Sequence, residues 1–185
     1  MHSEKDLIQM ARTNPRVFGE LYDLHYPKIF GYVFRATGDY AVACDITSET
    51  FLKAWIKLGS FQWKGISISS WFFKIASNEI NQYFRKKKYK PRTLMELSFF
   101  DREALSKPAW FSDASNETIF RLDQAEEFSN LHRKLTLLPA KYREVIALRY
   151  FEEMSIAQIA EILAKKEGTV KSLLSRGLDK LKNIF

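Results

Sequence analysis

Residues 138–181 read LPAKYREVIALRYFEEMSIAQIAEILAKKEGTVKSLLSRGLDKL, and this stretch decides the fold. Ser155, with Gln158 three residues later, forms a capping-box pattern that predicts the start of a helix. The apolar residues behind it have the i, i+3, i+4, i+7 spacing of one helical face: Ile156, Ile159, Ala160 and Leu163. An amphipathic helix beginning at Ser155 is therefore predicted.

A tight turn at residues 165–167 separates this helix from a last one, predicted over residues 168–182. Val170, Leu174 and Leu181 can face inward from it. When the first of two short helices joined in this way packs on the rest of the domain, the second points outward, which is how a helix-turn-helix enters the DNA major groove. Polar residues outside the apolar stripe can bind phosphates or approach base edges: Thr169, Lys171, Ser172, Ser175, Arg176 and Lys180. The competing interpretation is a solvated face of an ordinary helical bundle.

Another helix pair precedes this motif. A helix that begins near residue 126 is predicted to stop before Leu138 and Pro139, because proline suits the first turn of the helix that follows. That following helix is expected to turn four residues toward a core: Tyr142, Val145, Ile146 and Tyr150. The last third of the chain is thus predicted to be helical throughout.

The first part of the chain is predicted to be helical as well. Over residues 18–33, large apolar residues recur at helical spacing, and no strand-like alternation of comparable length competes. Pro27 is expected to bend or break this helix, although proline can be tolerated where neighbouring packing satisfies the carbonyl that it leaves free. Gly38 followed by Asp39 combines a left-handed C-cap with an N-cap, which predicts a second helix that ends near Leu58.

A loop with aromatic residues is predicted next. Residues 59–70 hold two glycines and four serines, together with Phe61, Trp63 and Ile66. The helix predicted over residues 71–88 has one apolar face: Phe72, Ile75, Ala76, Ile80 and Tyr83. Its opposite face is basic and rich in amides: Lys74, Asn78, Asn81, Arg85 and Lys88.

Composition indicates a globular chain with an anionic partner. Of 185 residues, 46% are hydrophobic, and 29 Lys and Arg against 22 Asp and Glu give a net charge of +7. A positive potential attracts polyanions such as nucleic acid, although mild basicity can also serve solubility alone. Residues 91–125 include Pro91 and Pro108 and have no sustained period, which predicts a linker whose hydrophobic residues could dock on a surface.

Other function classes lack the residues that they need. Cys44, the single cysteine, can form no internal disulfide, and its apolar helical setting suggests a buried small hydrophobe. His2, His25 and His132 have no ligands at zinc spacing, and no catalytic or phosphate-binding motif occurs. No apolar run approaches the roughly 20 residues that span a bilayer. We therefore expect a cytoplasmic protein with no enzyme activity, metal, cofactor or small-molecule substrate.

The opening stretch resembles region 4 of sigma-70 family proteins, particularly the extracytoplasmic-function group, in LPAKYREVIALRYFEEMSIAQIAEIL and EGTVKSLLSRGLDKL. In that family this domain recognises the -35 promoter element with its second helix. The resemblance implies DNA contacts from five residues: Thr169, Lys171, Ser172, Ser175 and Arg176. The family often has arginine at the positions of Leu173 and Leu178 and alanine at that of Gly177. A changed -35 preference or a weaker grip is therefore expected.

Two earlier segments resemble the same family. GDYAVACDITSETFLKAW, residues 38–55, is similar to region 2.2, which in the family binds a helical coiled coil on the polymerase beta-prime subunit. Asp45, Ser48 and Glu49 occupy the matching positions on one helical face, although the family usually has glutamine where this chain has Ser48. An ordinary solvated acidic face is the alternative.

SWFFKIASNEINQYFRKKK, residues 70–88, resembles regions 2.3 and 2.4, and the resemblance implies that this helix and the loop before it hold an opened -10 strand. Phe61 and Trp63 could stack on a base, although core packing explains them at least as well. Asn78 could hydrogen-bond a base. Cations would follow the phosphates: Lys74, Arg85, Lys86, Lys87 and Lys88. Four consecutive basic residues at a helix end are hard to explain by folding.

We therefore expect an all-α protein of two small helical domains: sigma region 2 over residues 8–90 and a sigma region 4 helix-turn-helix over residues 126–185, joined by the linker. Its expected partners are promoter DNA, the beta-prime and beta subunits of core RNA polymerase, and an anti-sigma factor. One alternative is a helix-turn-helix regulator that binds duplex DNA without polymerase. Another is a DNA-processing enzyme that uses the C-terminal module for targeting.

Overall fold

A computed structural model of the chain describes residues 4–61, 67–89, 131 and 133–184. No strand occurs in this described part, and the all-α expectation is confirmed. Its regular elements are α1 (Glu4–Ala11), α2 (Pro15–Thr37), α3 (Tyr40–Lys57), a 3-10 turn (Leu58–Ser60), α4 (Ile68–Tyr89), α5 (Ala140–Ile146), a π turn (Ala147–Phe151), α6 (Ile156–Ile162) and α7 (Glu167–Lys182). Residues 133–137 are also helical. The expected linker lies outside the described residues.

The predicted boundary between the first two long helices is confirmed. Gly38 ends α2 in the left-handed conformation, with φ 76°, and its N–H donates to the Phe34 carbonyl. Asp39 Oδ1 accepts a hydrogen bond from Val42 N at 3.0 Å and so caps α3. At the other end of α2, the Asn14 side chain accepts from the backbone N–H of Arg16. These local bonds satisfy groups that the ends of a helix leave without partners.

α2 is the central helix of the first half. The break expected at Pro27 does not occur, since α2 runs through that residue. α2 packs against α1, α3 and α4, and Leu21, Ile29 and Val33 are buried along it. This packing holds the helix where proline removes one hydrogen bond. Cys44 on α3, expected to be buried, is only half-buried.

The predicted capping box is also confirmed. Ser155 Oγ accepts from Gln158 N at 3.2 Å, and Gln158 Oε1 accepts from Ser155 N at 2.9 Å. α6 ends at Ile162, Ala164 has a φ of 50°, and Lys165 N donates to the Ala160 carbonyl at 2.8 Å. This left-handed closure makes the tight turn that directs the chain into α7.

The π turn after α5 changes which residues face the core. Tyr142, Val145 and Ile146 are buried as predicted. Tyr150 was predicted to be buried and is 55% exposed, whereas Phe151 packs against the core. A π turn is wider than an α turn, so the side chains after it leave the register that a regular helix would give them.

The two halves of the described chain pack against each other. α2 contacts α5 and the π turn, and α4 contacts α6. Glu144 on α5 is only 5% exposed. Its Oε1 accepts one hydrogen bond from the Tyr32 hydroxyl of α2 at 3.0 Å and another from Ser77 Oγ of α4 at 2.6 Å. We call this group of three side chains the Glu144 junction.

Two arginines surround the Glu144 junction. Arg35 Nη1 pairs with Glu152 Oε1 at 3.2 Å, and the Arg35 guanidinium lies 4.4 Å from the centroid of the Phe151 ring. Arg143 Nη1 donates to the Thr37 carbonyl at 3.4 Å. Polar contacts to α5 and the π turn therefore extend along the C-terminal half of α2.

Gly38→Ala should destabilise the protein, because alanine in the left-handed region costs about 1–2 kcal/mol. The added Cβ would also lie 2.6 Å from Thr136 Cγ2. Gly19→Ala, inside α2, is the matched control. A Cβ there meets nothing within 4 Å, so this change should increase the free energy of unfolding by about 0.5–1 kcal/mol. Urea unfolding measures both free energies. Effects of the same sign would contradict this account of Gly38.

Glu144→Gln should change how stability depends on pH. Burial raises the pKa of Glu144, and this outweighs the Ser77 and Tyr32 hydrogen bonds that lower it. Between the ordinary and the raised pKa, the folded state holds more of this proton than the unfolded chain does. The stabilising contribution is therefore complete below about pH 4 and is lost as pH rises through the raised pKa.

The measurement is the difference in free energy of unfolding, wild type minus Glu144→Gln, across pH. The difference should fall as pH rises. The lowered pKa of His25 acts in the opposite direction, but it does so in both proteins and cancels. A difference that grows with pH would contradict the raised pKa of Glu144.

Candidate nucleic-acid interface

α7 presents its predicted DNA contacts to solvent. It packs on α5 and α6 through the buried Val170 and Leu174. The opposite side carries polar residues that are exposed, apart from Ser172, which is half-buried: Thr169, Lys171, Ser172, Ser175 and Arg176. The second helix of the motif therefore has the outward polar face that entry into a major groove requires.

The three residues of α7 that depart from the family pattern are buried or half-buried. Leu173 is half-buried and packs against the core, and Leu178 is half-buried. Gly177 is buried, and a Cβ there would lie 3.1 Å from Ile146 Cδ1 and 3.3 Å from Tyr142 Cβ. Glycine thus lets α7 lie close to α5. Sequence reasoning missed this role because the position of α5 has no local signal.

α4 separates its apolar and basic faces as predicted. Phe72, Ile75, Ala76 and Ile80 are buried. On the other side Asn78 and Arg85 are exposed and Lys74 is half-buried. Lys86 and Lys87 are also exposed but lie around the helix from that side, and Lys87 Nζ donates to the Tyr83 hydroxyl at 3.3 Å. The side chain of Lys88 lies outside the described residues. The cations therefore lie along one side of α4 and around its C-terminal end, where they can contact a nucleic-acid backbone.

Phe61 packs inside the protein. Its side chain is buried, and its ring centroid lies 4.8 Å from that of Trp71. Arg12 Nη2 donates to the Phe61 carbonyl at 2.5 Å, which attaches this end of the loop to the segment after α1. This geometry fits the alternative interpretation of Phe61, in which its ring packs in the core instead of stacking on a base. Trp63 lies outside the described residues.

α3 carries the predicted acidic face. Asp45 and Ser48 are exposed, while Glu49 is more than half covered as a residue and its Oε1 lies 3.1 Å from Lys53 Nζ. Lys53 Nζ also donates to Glu79 Oε2 of α4 at 2.6 Å, and this hydrogen bond to Glu79 raises the pKa of Lys53. Asp45 is therefore the carboxylate of this face that is most open to a partner.

Two exposed apolar residues continue the same face. Leu52 is 53% exposed and Ile56 is 70% exposed, and both follow Asp45 and Ser48 at intervals of three or four residues, which places all four on one side of the helix. Sequence reasoning missed them because leucine and isoleucine in a helix are normally assigned to the core. Their spacing from Asp45 was the available signal.

The described ranges contain neither a metal-binding cluster nor a membrane-spanning helix. No cluster of three or more His, Cys, Asp or Glu residues there has the arrangement to bind a metal ion. None of the helices in those ranges combines the length and apolar character that crossing a membrane requires.

The sequence matches two family descriptions. Residues 21–89 match "Sigma-70 region 2", and residues 119–181 match "Sigma-70, region 4". In Bacillus subtilis (strain 168), the ECF RNA polymerase sigma factor SigW is 31% identical over 98% of this chain and 96% of that protein. The RNA polymerase sigma factor YlaC of the same strain is 33% identical over 88% of both chains.

A solved structure has a similar fold. The structure of the sigma factor RpoE in complex with the anti-sigma factor NepR, from Bartonella quintana, matches with a TM-score of 0.65 and 23% sequence identity. The match covers 90% of this chain and 95% of that chain. The similarity therefore extends across both halves.

Proposed function

The chain belongs to the extracytoplasmic-function group of the sigma-70 family. On that premise we propose which helix binds each partner during transcription initiation. α3 docks on core RNA polymerase, α4 holds an opened -10 strand, and α7 recognises the -35 element. One observation carries this division: the polar faces of α3, α4 and α7 are exposed while the apolar sides of the same helices are buried.

The polymerase-binding face consists of a polar part and an apolar part. Asp45, Ser48 and Glu49 form the first, and Leu52 and Ile56 form the second. Carboxylates next to exposed apolar side chains suit a partner helix that carries both basic and apolar residues, because charge guides the approach and apolar burial holds the complex. Lys53 already engages Glu49, so Asp45 is the main electrostatic contact.

The -10 face lies on α4. Removing a base from the duplex costs a few kcal/mol, and contacts to that base and to the strand backbone must offset the cost. Asn78 provides a side chain that can bond a base edge, and cations follow the phosphates: Lys74, Arg85, Lys86, Lys87 and Lys88. Because Phe61 packs on Trp71, we place less of the base contact on its ring. A stacking role for Trp63 remains a prediction.

The -35 face lies on α7. Thr169, Lys171, Ser172, Ser175 and Arg176 approach the major groove, where short hydroxyl side chains and arginine can contact base edges and phosphates. Leu173 packs against the core, so this position supplies no charge to the DNA. We infer a -35 preference that differs from that of relatives with arginine there.

We propose the domain limits that the sequence predicts: region 2 over residues 8–90, a linker over residues 91–125 and region 4 over residues 126–185. We propose that the chain has no catalytic centre of its own and that core polymerase carries out RNA synthesis. Because polymerase and promoter DNA are in the cytoplasm, so is this protein. An anti-sigma factor, as in the solved relative, would act by covering Leu52 and Ile56.

A helix-turn-helix regulator without polymerase binding is the alternative. It would use α7 in the same way but would not need the acidic and apolar face of α3. Co-migration of the chain with core polymerase in gel filtration distinguishes the two functions. A regulator would elute separately and would not start transcription with bare core enzyme.

Asp45→Arg combined with Ser48→Arg should abolish that co-migration, because both positions are exposed and two new cations would repel a basic partner surface. This pair leaves the contacts of Lys53 with Glu49 and Glu79 intact. Glu161→Arg, an exposed charge reversal on α6, is the matched control and should still co-migrate. Unchanged binding by the double variant would remove α3 from the interface.

Arg176→Ala should weaken binding of the polymerase complex to -35 DNA. The loss should be about 1–3 kcal/mol and concentrated at one base pair if Arg176 contacts a base, or uniform and salt-dependent if it contacts phosphate. Lys182→Ala, exposed at the end of α7, is the control. Fluorescence anisotropy with point-substituted duplexes measures both. Binding by Arg176→Ala equal to wild type in every duplex would refute a DNA contact by Arg176.

A further inference from the structure

The contact between the two halves has a polar centre. We propose that the Glu144 junction holds the second half on the first in a resting state, and that the halves must separate before the chain can hold both promoter elements at once. This inference rests on the proposed function only for its second part. The docking itself is a property of the isolated chain.

The chemistry of the Glu144 junction makes docking specific. Glu144 belongs to the second half, whereas both of its hydrogen-bond donors, Tyr32 and Ser77, belong to the first. Burying a carboxylate is costly unless hydrogen bonds satisfy it. Docking without the two hydroxyls is therefore unfavourable. Because the donors come from different helices, α2 and α4, only one arrangement of the halves satisfies the group.

Surrounding contacts fix the same arrangement. Arg35 of α2 joins Glu152 and stacks on Phe151. Gly38 lies so close to Thr136 that an added Cβ would overlap it. The junction thus lies inside a packed interface, and a shift of one half would break several contacts together.

Distance makes the docked state incompatible with simultaneous contact. A compact body of this size is about 40 Å across. The names of the -35 and -10 elements give their positions before the transcription start, so they are about 25 base pairs apart, which is about 85 Å of duplex at about 3.4 Å per base pair. The docked halves cannot span that length. They also leave the polar faces of α4 and α7 exposed, so docking should not prevent contact with one element at a time.

Small-angle X-ray scattering of the isolated chain tests the docking. Tyr32→Phe with Ser77→Ala removes both donors and leaves the carboxylate buried without them. Each loss should shift the equilibrium toward separated halves about tenfold or more, so the radius of gyration should increase. Thr50→Val is the matched control, since it removes a buried hydroxyl whose bond to the Ile46 carbonyl stays within α3. An unchanged radius in the double variant would overturn the role of the junction.

A reversible crosslink tests the consequence. In a Cys44→Ala background, Gly38→Cys and Thr136→Cys would join the halves, because a Cβ at position 38 lies 3.4 Å from Thr136 Cβ, close to the range of about 3.5–4.5 Å in disulfides. The oxidised and reduced forms share the strain at position 38, so their comparison isolates the crosslink.

With core polymerase, transcription from a promoter with both elements should be at least about tenfold lower for the oxidised protein than for the reduced protein. Adding reductant should restore it. Binding to an isolated -35 duplex should persist in both forms. Full transcription by the oxidised protein would overturn the inference while leaving the proposed function intact. If even wild type fails to direct core polymerase, the proposed function fails, whereas the scattering result still decides the docking.

Discussion

Burial of α2 on several sides organises the described part of this protein. Leu21, Ile29 and Val33 pack within the first half, while Tyr32 and Arg35 reach Glu144 and Glu152 in the second. A single helix therefore contributes to both the core of one module and the boundary between the two. The contacts of α2 with its own module are mainly apolar, whereas those it makes across the boundary include hydrogen bonds and an ion pair. Such polar contacts are replaceable by water when the boundary opens.

The exposed faces follow from this burial. Because α3, α4 and α7 each turn an apolar side inward, their charged and amide residues remain on the surface. The faces of α3 and α4 are not independent, since Lys53 pairs with Glu49 on one and Glu79 on the other. A partner that attracts Glu49 would alter the charge balance beside Asn78. The proposed polymerase-binding and strand-binding faces thus share one amino group, that of Lys53.

Local signals in the sequence were sufficient for much of the fold. The capping box at Ser155 and the cap pair at Gly38 and Asp39 were predictable because neighbouring residues form them. Tyr150 was placed wrongly, since a π turn has no clear sequence pattern. The continuity of α2 through Pro27 depends on packing by other helices. The Glu144–Tyr32 bond joins residues 112 positions apart, and no periodicity in one segment can indicate such a pairing.

Because Gly177 has no side chain, α7 can pack close to α5, and this packing sets the orientation of the proposed DNA-binding face. A methyl group there would press on Ile146 and Tyr142 of α5 at little more than 3 Å, and the easiest relief would be a small tilt of α7. A recognition helix that pivots about a buried point carries its outward side chains across the bases by a larger amount. On the proposed function, promoter preference could therefore change through Gly177, which is buried against α5 and lies away from the proposed DNA-binding face.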